Sequence, residues 1–214
     1  MKKEWILAAG FGLVVLAIGI ALYLFVFAPR DVVALESYAT LGEAHEDSAF
    51  LVGMSENPIR IELDHVLADV LMRPMTDDER YELSEQGRGL LKTLEVQIDA
   101  IGEKEGAAAE ALASLQSSPL ALSELTSIGE VVQLGTRRAD LIADIRGLSY
   151  RANYHTAQIF ERIMKDGGAL TEAHVAALNS DLPLVEEQFD RRSNLYVELE
   201  KVSLDIQKSL ETLK

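Results

Sequence analysis

A repeat of apolar residues at alternating steps of three and four runs through three long segments of this 214-residue chain. The repeat is cleanest in residues 171–213. Its stripe consists of Leu178, Leu182, Val185, Phe189, Arg192, Tyr196, Leu199, Val202, Ile206, Leu210 and Leu213. Such steps average about 3.5 residues, the period at which an α-helix buries one face against another helix. Arg192 falls on this stripe, where a polar residue can fix register or oligomeric state at some cost in stability.

Segments 76–116 and 119–166 carry similar stripes, and segment 31–72 has a comparable length but is broken near Pro58. Helices of matched length joined by short turns must run antiparallel to bury their stripes. We therefore predict an all-α protein in which residues 30–214 form an extended, antiparallel, coiled-coil-like four-helix bundle. The helices are expected at about 31–54, 58–72, 76–116, 119–166 and 171–213. The alternative is a three-helix coiled coil with segment 31–72 docked elsewhere.

Local signals predict where two of these helices begin. Asn57 directly before Pro58 is typical of an N-cap followed by proline at the first helical position. Thr76 followed three residues later by Glu79 is a capping box, in which each side chain bonds the other residue's backbone N–H. Both signals favour breaks in the chain just before residues 58 and 77.

Local signals also predict the turn before the last helix and the start of that helix. Gly167 and Gly168 predict a helix end, and Thr171 is expected to open the final helix. Pro183 lies near the start of that helix. Because proline removes a backbone donor and clashes with the preceding turn, we expect a kink or a restart there.

Residues 5–27 contain no charged side chain. A helix of 23 residues is roughly 34 Å long, enough to cross a hydrocarbon core of about 30 Å. A cleaved signal peptide has a shorter apolar region and small residues at its cleavage site. Here the segment ends in the bulky sequence FVFAP at residues 25–29. We therefore predict that residues 1–29 form a short N-terminus and a retained transmembrane anchor.

The flanking charges predict the orientation of that anchor. Lys2 and Lys3 precede it, whereas Arg30 is followed by no further Lys or Arg until Arg60. The positive-inside rule then places the N-terminus in the cytoplasm and residues 30–214 outside it. The expected location is the cytoplasmic (inner) membrane of a bacterium or archaeon, crossed once, with an extracytoplasmic or periplasmic bundle.

The charge of the chain beyond the anchor excludes one class of partner. From Asp31 onward it carries 17 Lys and Arg against 34 Asp and Glu, so its formal charge is 17 − 34 = −17. Such a surface repels phosphate backbones, so no nucleic-acid partner is expected. The chain has no cysteine, so disulfides play no part in its stability.

Glu62 and His65 form a Glu-x-x-His motif, which places two metal ligands on one helix face. Bundles that hold two iron ions use two such motifs and two further carboxylates, whereas this chain has one motif. We therefore predict no metal and no cofactor. A metal-binding bundle around Glu62 and His65 is kept as a third alternative for the function.

The segment 119–166 carries a basic patch containing Arg137, Arg138, Arg146 and Arg151. These side chains could bind an anionic small ligand between helices, as ligand-sensing bundles do. The alternative is a solvated face of arginine–aspartate pairs that contribute little to stability. The sequence contains no set of nucleophile, base and orienting residue and no glycine-rich phosphate loop, so it does not predict an enzyme.

Ala8, Gly12 and Gly19 line one face of the predicted anchor, where small residues allow close helix packing in lipid. Residues 131–142, VVQLGTRRADLI, resemble the Arg-Arg-x-Asp-Leu-Ile stretch of LemA-type proteins, which are also anchored helical envelope proteins. In that family the stretch follows the membrane helix closely and continues with Pro-Asn. Here it lies deep in the chain and continues with Ala143 and Asp144, so no residue role is carried over.

These patterns predict a membrane-anchored, extracytoplasmic helical scaffold. Its partners would be the lipid bilayer and one or more proteins of a membrane complex, with a homo-oligomer as a further option. The principal alternative is a ligand-sensing four-helix bundle that signals through a separate protein.

Overall fold

The computed structural model describes Leu16, residues 18–20, Tyr38, residues 57–117 and residues 127–212. Residues 57–212 form four helices in the described part. They are α1 (Pro58–Met72), α2 (Asp77–Gln116), α3 (Ser127–Lys165) and α4 (Glu172–Glu211). No strand occurs among the described residues. The prediction of an all-α fold with packed helices is therefore confirmed for this part of the chain.

Contacts between α2 and α3 fix an antiparallel register. Tyr150 of α3 donates a hydrogen bond to Asp99 of α2. Further along, Arg138 Nη1 lies 3.7 Å from Glu105 Oε1. As the residue number rises along α2 it falls along α3, so the two long helices run in opposite directions with their apolar stripes facing each other.

The pairing of α3 with α4 is also antiparallel, and it is the most extensive in the described bundle. Arg162 pairs with Asp181 near one end, and Arg137 pairs with Glu198 nearer the other. The short α1 packs along α2, where the Gln86 amide donates to the Glu62 carboxylate at 2.9 Å. The described helices therefore form an antiparallel bundle in which α1 covers one half of α2.

The predicted starts of α1 and α2 are confirmed. The Asn57 side chain accepts hydrogen bonds from the backbone N–H groups of Ile59 and Arg60, with Pro58 at the first helical position. Thr76 and Glu79 form both bonds of the expected capping box. Side-chain capping satisfies N–H groups that have no partner within the helix, so these ends are fixed by the sequence itself.

Thr171 opens α4, as predicted, but Pro183 does not restart it. The helix continues from Glu172 to Glu211 with Pro183 inside it, so the chain does not restart there, whereas the alternative expectation of a kink stays a prediction. Proline leaves the carbonyl four residues earlier, that of Asn179, without its helical partner. Asn179 and Pro183 are both exposed, so water can satisfy that carbonyl and the helix can continue.

One end of the bundle is held by Arg80 of α2. Its Nε donates to the carbonyl of Val70 at 3.2 Å, and its Nη1 donates to the carbonyl of Gly168 at 3.1 Å. The Nη1 group also lies 3.2 Å from Asp77 Oδ1. A single buried guanidinium thus joins the end of α1, the start of α2 and the turn between α3 and α4.

The described interior contains two apolar clusters, one in each half of the bundle. The upper cluster contains Leu63, Val66, Val70, Leu91, Leu94, Ile159, Phe160, Ile163 and Leu178. The lower cluster contains Tyr38, Ile98, Ile101, Ala108, Leu112, Leu115, Ile128, Val131, Leu141, Ile142, Ile145, Tyr196, Leu199, Val202 and Ile206. Tyr38 belongs to the segment expected to form the first helix and is 2% exposed, so that segment meets the lower cluster at this residue.

The predicted transmembrane anchor at residues 5–27 lies outside the described residues, apart from Leu16 and residues 18–20. The same is true of the predicted helix at 31–54, apart from Tyr38, and of residues 118–126. Within the part of the chain that is described, no helix combines the length and the apolar character needed to cross a membrane.

Gly168 provides a test of the packing at the end of the bundle that Arg80 holds together. Its φ is +88°, and a Cβ placed there would lie 1.8 Å from the carbonyl oxygen of Asp77. Gly168→Ala should therefore lower the free energy of unfolding by at least about 2 kcal/mol, since both the backbone angle and the contact oppose a side chain. Urea denaturation measures the change.

Gly89→Ala is the matched control. Gly89 lies within α2, and nothing lies within 4 Å of a Cβ added there. The substitution should raise the free energy of unfolding by about 0.5–1 kcal/mol, because alanine favours a helix more than glycine does. Equal effects of the two substitutions would contradict the constraint at Gly168.

Candidate functional site

A layer of polar side chains crosses the interior between the two apolar clusters. We call it the polar layer, and all of its members except Gln97 are buried. It consists of Asn57 and Arg60 of α1, Gln97 of α2, Ser149 and Asn153 of α3, and Gln188 and Arg192 of α4. Burying polar groups is costly unless they are paired, so this layer departs most from the apolar pattern of the surrounding core.

The contact between α3 and α4 aligns four members of the layer. Ser149 and Asn153 are one turn apart on α3, and Gln188 and Arg192 are one turn apart on α4, so each pair lies on one helix face. Arg192 Nη1 donates to Ser149 Oγ at 3.2 Å. Because the helices are antiparallel, Gln188 then lies at the level of Asn153.

The start of α1 brings Arg60 to the same level. Asn57 caps the helix and also donates from Nδ2 to Gln97 Oε1 at 3.0 Å, which ties the first turn of α1 to α2. Arg60 Nη2 lies 2.8 Å from Asp64 Oδ1, one turn further along α1. The Arg60 side chain is 8% exposed and that of Asp64 is 53% exposed, so the carboxylate reaches inward from the surface.

Phe189 of α4 brings the two arginines together. The Cζ atom of Arg60 lies 4.0 Å from the centroid of the Phe189 ring, and that of Arg192 lies 4.5 Å from it. A guanidinium over an aromatic face gains about 0.5–2 kcal/mol, more when it is desolvated. One phenyl ring thus contacts two buried cations from two helices.

Burial shifts the pKa values of this region in the direction that disfavours charge. It lowers the pKa of Arg192 to about 10, while Tyr196 and Asp64 oppose this shift and the Arg60 cation adds to it. Burial also lowers the pKa of Arg60, and Asp64 opposes that change. Burial raises the pKa of Tyr196 to about 12, although the nearby Arg192 cation favours its ionised form. Arg192 is therefore charged at neutral pH while Tyr196 is neutral.

A small cavity of about 10 Å³ adjoins the polar layer. Its walls are four isoleucines of α2 and α3 together with Arg146, Ser149 and Tyr196. Ser149 belongs to both the cavity wall and the polar layer, because its hydroxyl accepts from Arg192 and donates to the carbonyl of Ile145 at 2.9 Å. A volume of this size accommodates about one water-sized particle.

The four arginines of the predicted basic patch do not form one site. Arg137 is exposed and its Nε donates to Glu198 at 3.0 Å, a bond that raises the pKa of Arg137. Arg138 is buried near Glu105. Arg146 lies over Gly102, where a Cβ would be 2.3 Å from its Nη2 atom.

Arg151, the fourth of these arginines, is exposed on α3. The four side chains are thus divided between two surface positions, a contact with α2 and the wall of the cavity. Only Arg146 lies beside the polar layer.

The weak metal candidates Glu62 and His65 are both exposed on α1. Glu62 accepts a hydrogen bond from Gln86. Among the residues described here, no group of three or more histidine, aspartate or glutamate side chains is arranged to hold a metal ion. Of the small residues expected to pack in the anchor, Ala8 and Gly12 lie outside the described residues, and Gly19 has nothing within 4 Å of an added Cβ.

Arg60 was missed at the sequence level, although a signal for it exists. Arg60, Leu63, Val66 and Val70 follow one another at steps of three and four, and all four are buried. Reading this stripe back to the helix start would have placed Arg60 in the core, as the repeat did for Arg192. The sequence has no comparable signal that both would meet Phe189.

Comparison with models of known protein families, with curated proteins and with solved structures finds no match to this chain. Function must therefore be argued from its own residues.

Tyr196 predicts a change of stability at alkaline pH. The unfolded chain releases the tyrosine proton near pH 10, whereas the folded protein holds it to about pH 12. The contribution of Tyr196 is therefore complete below pH 10 and is lost as the pH rises towards 12. Between these limits the wild type should lose up to about 2–3 kcal/mol relative to Tyr196→Phe.

Urea unfolding of both proteins just below pH 10 and just above pH 11 should show about 1 kcal/mol of this loss, because the folded-state pKa of about 12 is not yet reached. Tyr154→Phe is the matched control, because Tyr154 is 61% exposed and its hydroxyl is hydrated in both states. The free energy of unfolding of the control should change with pH as that of the wild type does. If the free energy of unfolding of Tyr196→Phe shows the same pH dependence as the wild type, the burial assigned to the Tyr196 hydroxyl is wrong.

Proposed function

We propose that this protein is a scaffold anchored in the cytoplasmic membrane of a bacterium or archaeon. In this proposal residues 5–27 cross the bilayer once, and residues 30–214 form a bundle outside the cytoplasm that binds a protein partner. The uncharged run of 23 residues and the lysines before it support the anchor and its direction. Close packing at Ala8, Gly12 and Gly19 would bring the anchor against a neighbouring membrane helix.

The proposed binding role rests on a pair of exposed apolar residues on α4. Val197 is 70% exposed and Leu204 is 49% exposed. They are one heptad apart, so they lie on the same side of the helix. The inward face of α4 is occupied at the same level by buried Leu199 and Val202. Two large apolar side chains therefore remain on the outer face of a helix whose inner face is already packed.

The expected occupant is an amphipathic helix of a membrane-complex subunit. Helix-on-helix binding uses apolar residues spaced one or two turns apart, which matches Val197 and Leu204. The surrounding chain is strongly acidic, with a formal charge of 17 − 34 = −17 beyond residue 30. Basic residues are therefore expected on the edges of the partner helix, since charge complementarity steers association.

Ligand sensing is the second candidate function. The polar layer favours it, because buried arginine, asparagine and serine side chains from several helices meet there. A ligand bound between helices could change how the helices pack and so inform a separate signalling protein.

The orientation can be tested with single cysteines, since the chain has none of its own. Ser193→Cys lies at an exposed position of α4 and should react with a membrane-impermeant maleimide on intact cells. Lys3→Cys should react only after the membrane is opened. The reverse pattern would contradict the topology, and a mature chain that begins beyond Phe27 would contradict the retained anchor.

The binding surface can be tested by replacing Val197 and Leu204 together with aspartate. Loss of two apolar anchors should reduce partner recovery from native membranes at least about tenfold, measured by affinity purification and quantitative mass spectrometry. Val96→Asp with Tyr154→Asp is the matched control, because these residues are also 61% exposed but lie on other helices. Equal recovery with the two double variants would argue against the α4 surface.

A further inference from the structure

The described side chains in and beside the polar layer carry more positive than negative charge. Arg60 and Arg192 are each 7% exposed. Asp64 lies 2.8 Å from Arg60, whereas none of the described carboxylates lies within 4 Å of Arg192. Among the described residues of the layer, two cations and one carboxylate leave one positive charge. Because an uncompensated charge in the interior is expensive, a monovalent anion would be favoured there.

The layer also has hydrogen-bond donors in excess. Three buried donor atoms have no hydrogen-bond partner in the part of the chain that the structure describes, namely Nη1 of Arg60, Nε of Arg192 and Nδ2 of Asn153. One buried acceptor, Oε1 of Gln188, is also without a partner. Buried donors in proteins almost always have a partner, so three in one layer indicate that an acceptor belongs there.

The direction of α1 adds to the positive potential. Its N-terminus lies at the polar layer, and its first turn contains no acidic residue. The backbone dipoles of a helix place a partial positive charge at this end. Asn57 occupies two of the free N–H groups with a neutral oxygen, so the cap itself adds no counter-charge to this end of the helix.

The size of the cavity limits the ligand. The space of about 10 Å³ is bordered by Arg146, Ser149 and Tyr196, and Arg146 Nε is another buried donor without a partner. The four isoleucines on the opposite walls favour a weakly hydrated ion over one that must keep its water shell. Phosphate and organic carboxylates are built of several heavy atoms and exceed the single small particle that this space accommodates, so a monatomic anion fits it best.

We propose that the polar layer binds one small monovalent anion of the size of chloride, at the cavity edge between Arg146, Ser149 and Arg192. The anion accepts hydrogen bonds from the guanidinium groups and balances the charge that Asp64 leaves. It thereby joins α3 to α4 at the level where the apolar core is interrupted. This inference does not depend on the scaffold role, because it concerns the interior of the isolated chain.

The test uses the full chain purified in a nonionic detergent, with thermal unfolding followed by circular dichroism. Sodium chloride is compared with sodium gluconate at equal ionic strength, because gluconate is too large for the cavity. Chloride several-fold above its dissociation constant should raise the Tm by about 2–4 °C in a saturable manner. An equal Tm in the two salts would overturn the proposal.

Arg192→Met removes the unbalanced cation and keeps an apolar stem of similar length. This variant should lose the chloride-dependent rise in Tm. Arg137→Met is the matched control, because Arg137 is a surface arginine of α3 paired with Glu198. The control should keep the rise. A rise that persists in Arg192→Met would show that chloride acts elsewhere.

A second measurement does not rely on stability. The line width of the chloride NMR signal should increase when the wild-type protein is added and should narrow again when bromide competes for the site. If Arg192→Met fails to fold, Arg192→Gln replaces it, and the variant used should cause less broadening than Arg137→Met does. Equal broadening by the two variants would overturn the assignment to Arg192.

Discussion

Two positive charges inside a helical bundle constrain every helix around them. Arg60 and Arg192 contact the same phenyl ring, and each is also held by a polar partner, Asp64 in one case and Ser149 in the other. If α4 slipped by one turn along α3 towards Ile145, the Arg192 guanidinium would lose Ser149 and meet an isoleucine side chain that offers no hydrogen-bond acceptor. Such a change would be strongly unfavourable, so the buried cations select one register from several that the apolar stripes alone would permit.

Much of the helical framework could be predicted because its determinants are local. The cap at Asn57, the capping box at Thr76 and the glycine turn at Gly168 each depend on residues that are close in sequence. The apolar stripe of α4 also placed Arg192 in the interior. The restart allowed for at Pro183 does not occur, because the effect of the proline depends on whether the freed carbonyl of Asn179 faces water or protein, and sequence alone does not specify which.

The candidate site was less predictable because it depends on the alignment of separate helices. The four arginines of the segment 119–166 look like one patch in the sequence. In the bundle, Arg137 meets Glu198 while Arg138 meets Glu105 and Arg146 lies over Gly102. Neighbouring positions on a helix point in different directions, so a basic stretch does not make a basic pocket. The cluster that does form takes its members from four helices and requires their register to be known.

The division of the interior into two apolar clusters has a consequence for how the molecule fluctuates. The long helices α2, α3 and α4 pass through both clusters. The side chains between these helices are apolar in each cluster and polar in the layer that separates the clusters. Local unfolding follows contiguous apolar packing. Each half of the bundle is therefore expected to open as a unit while the other half stays folded. Opening that starts in one cluster is therefore expected to stop at the polar layer, where the contiguous apolar packing ends.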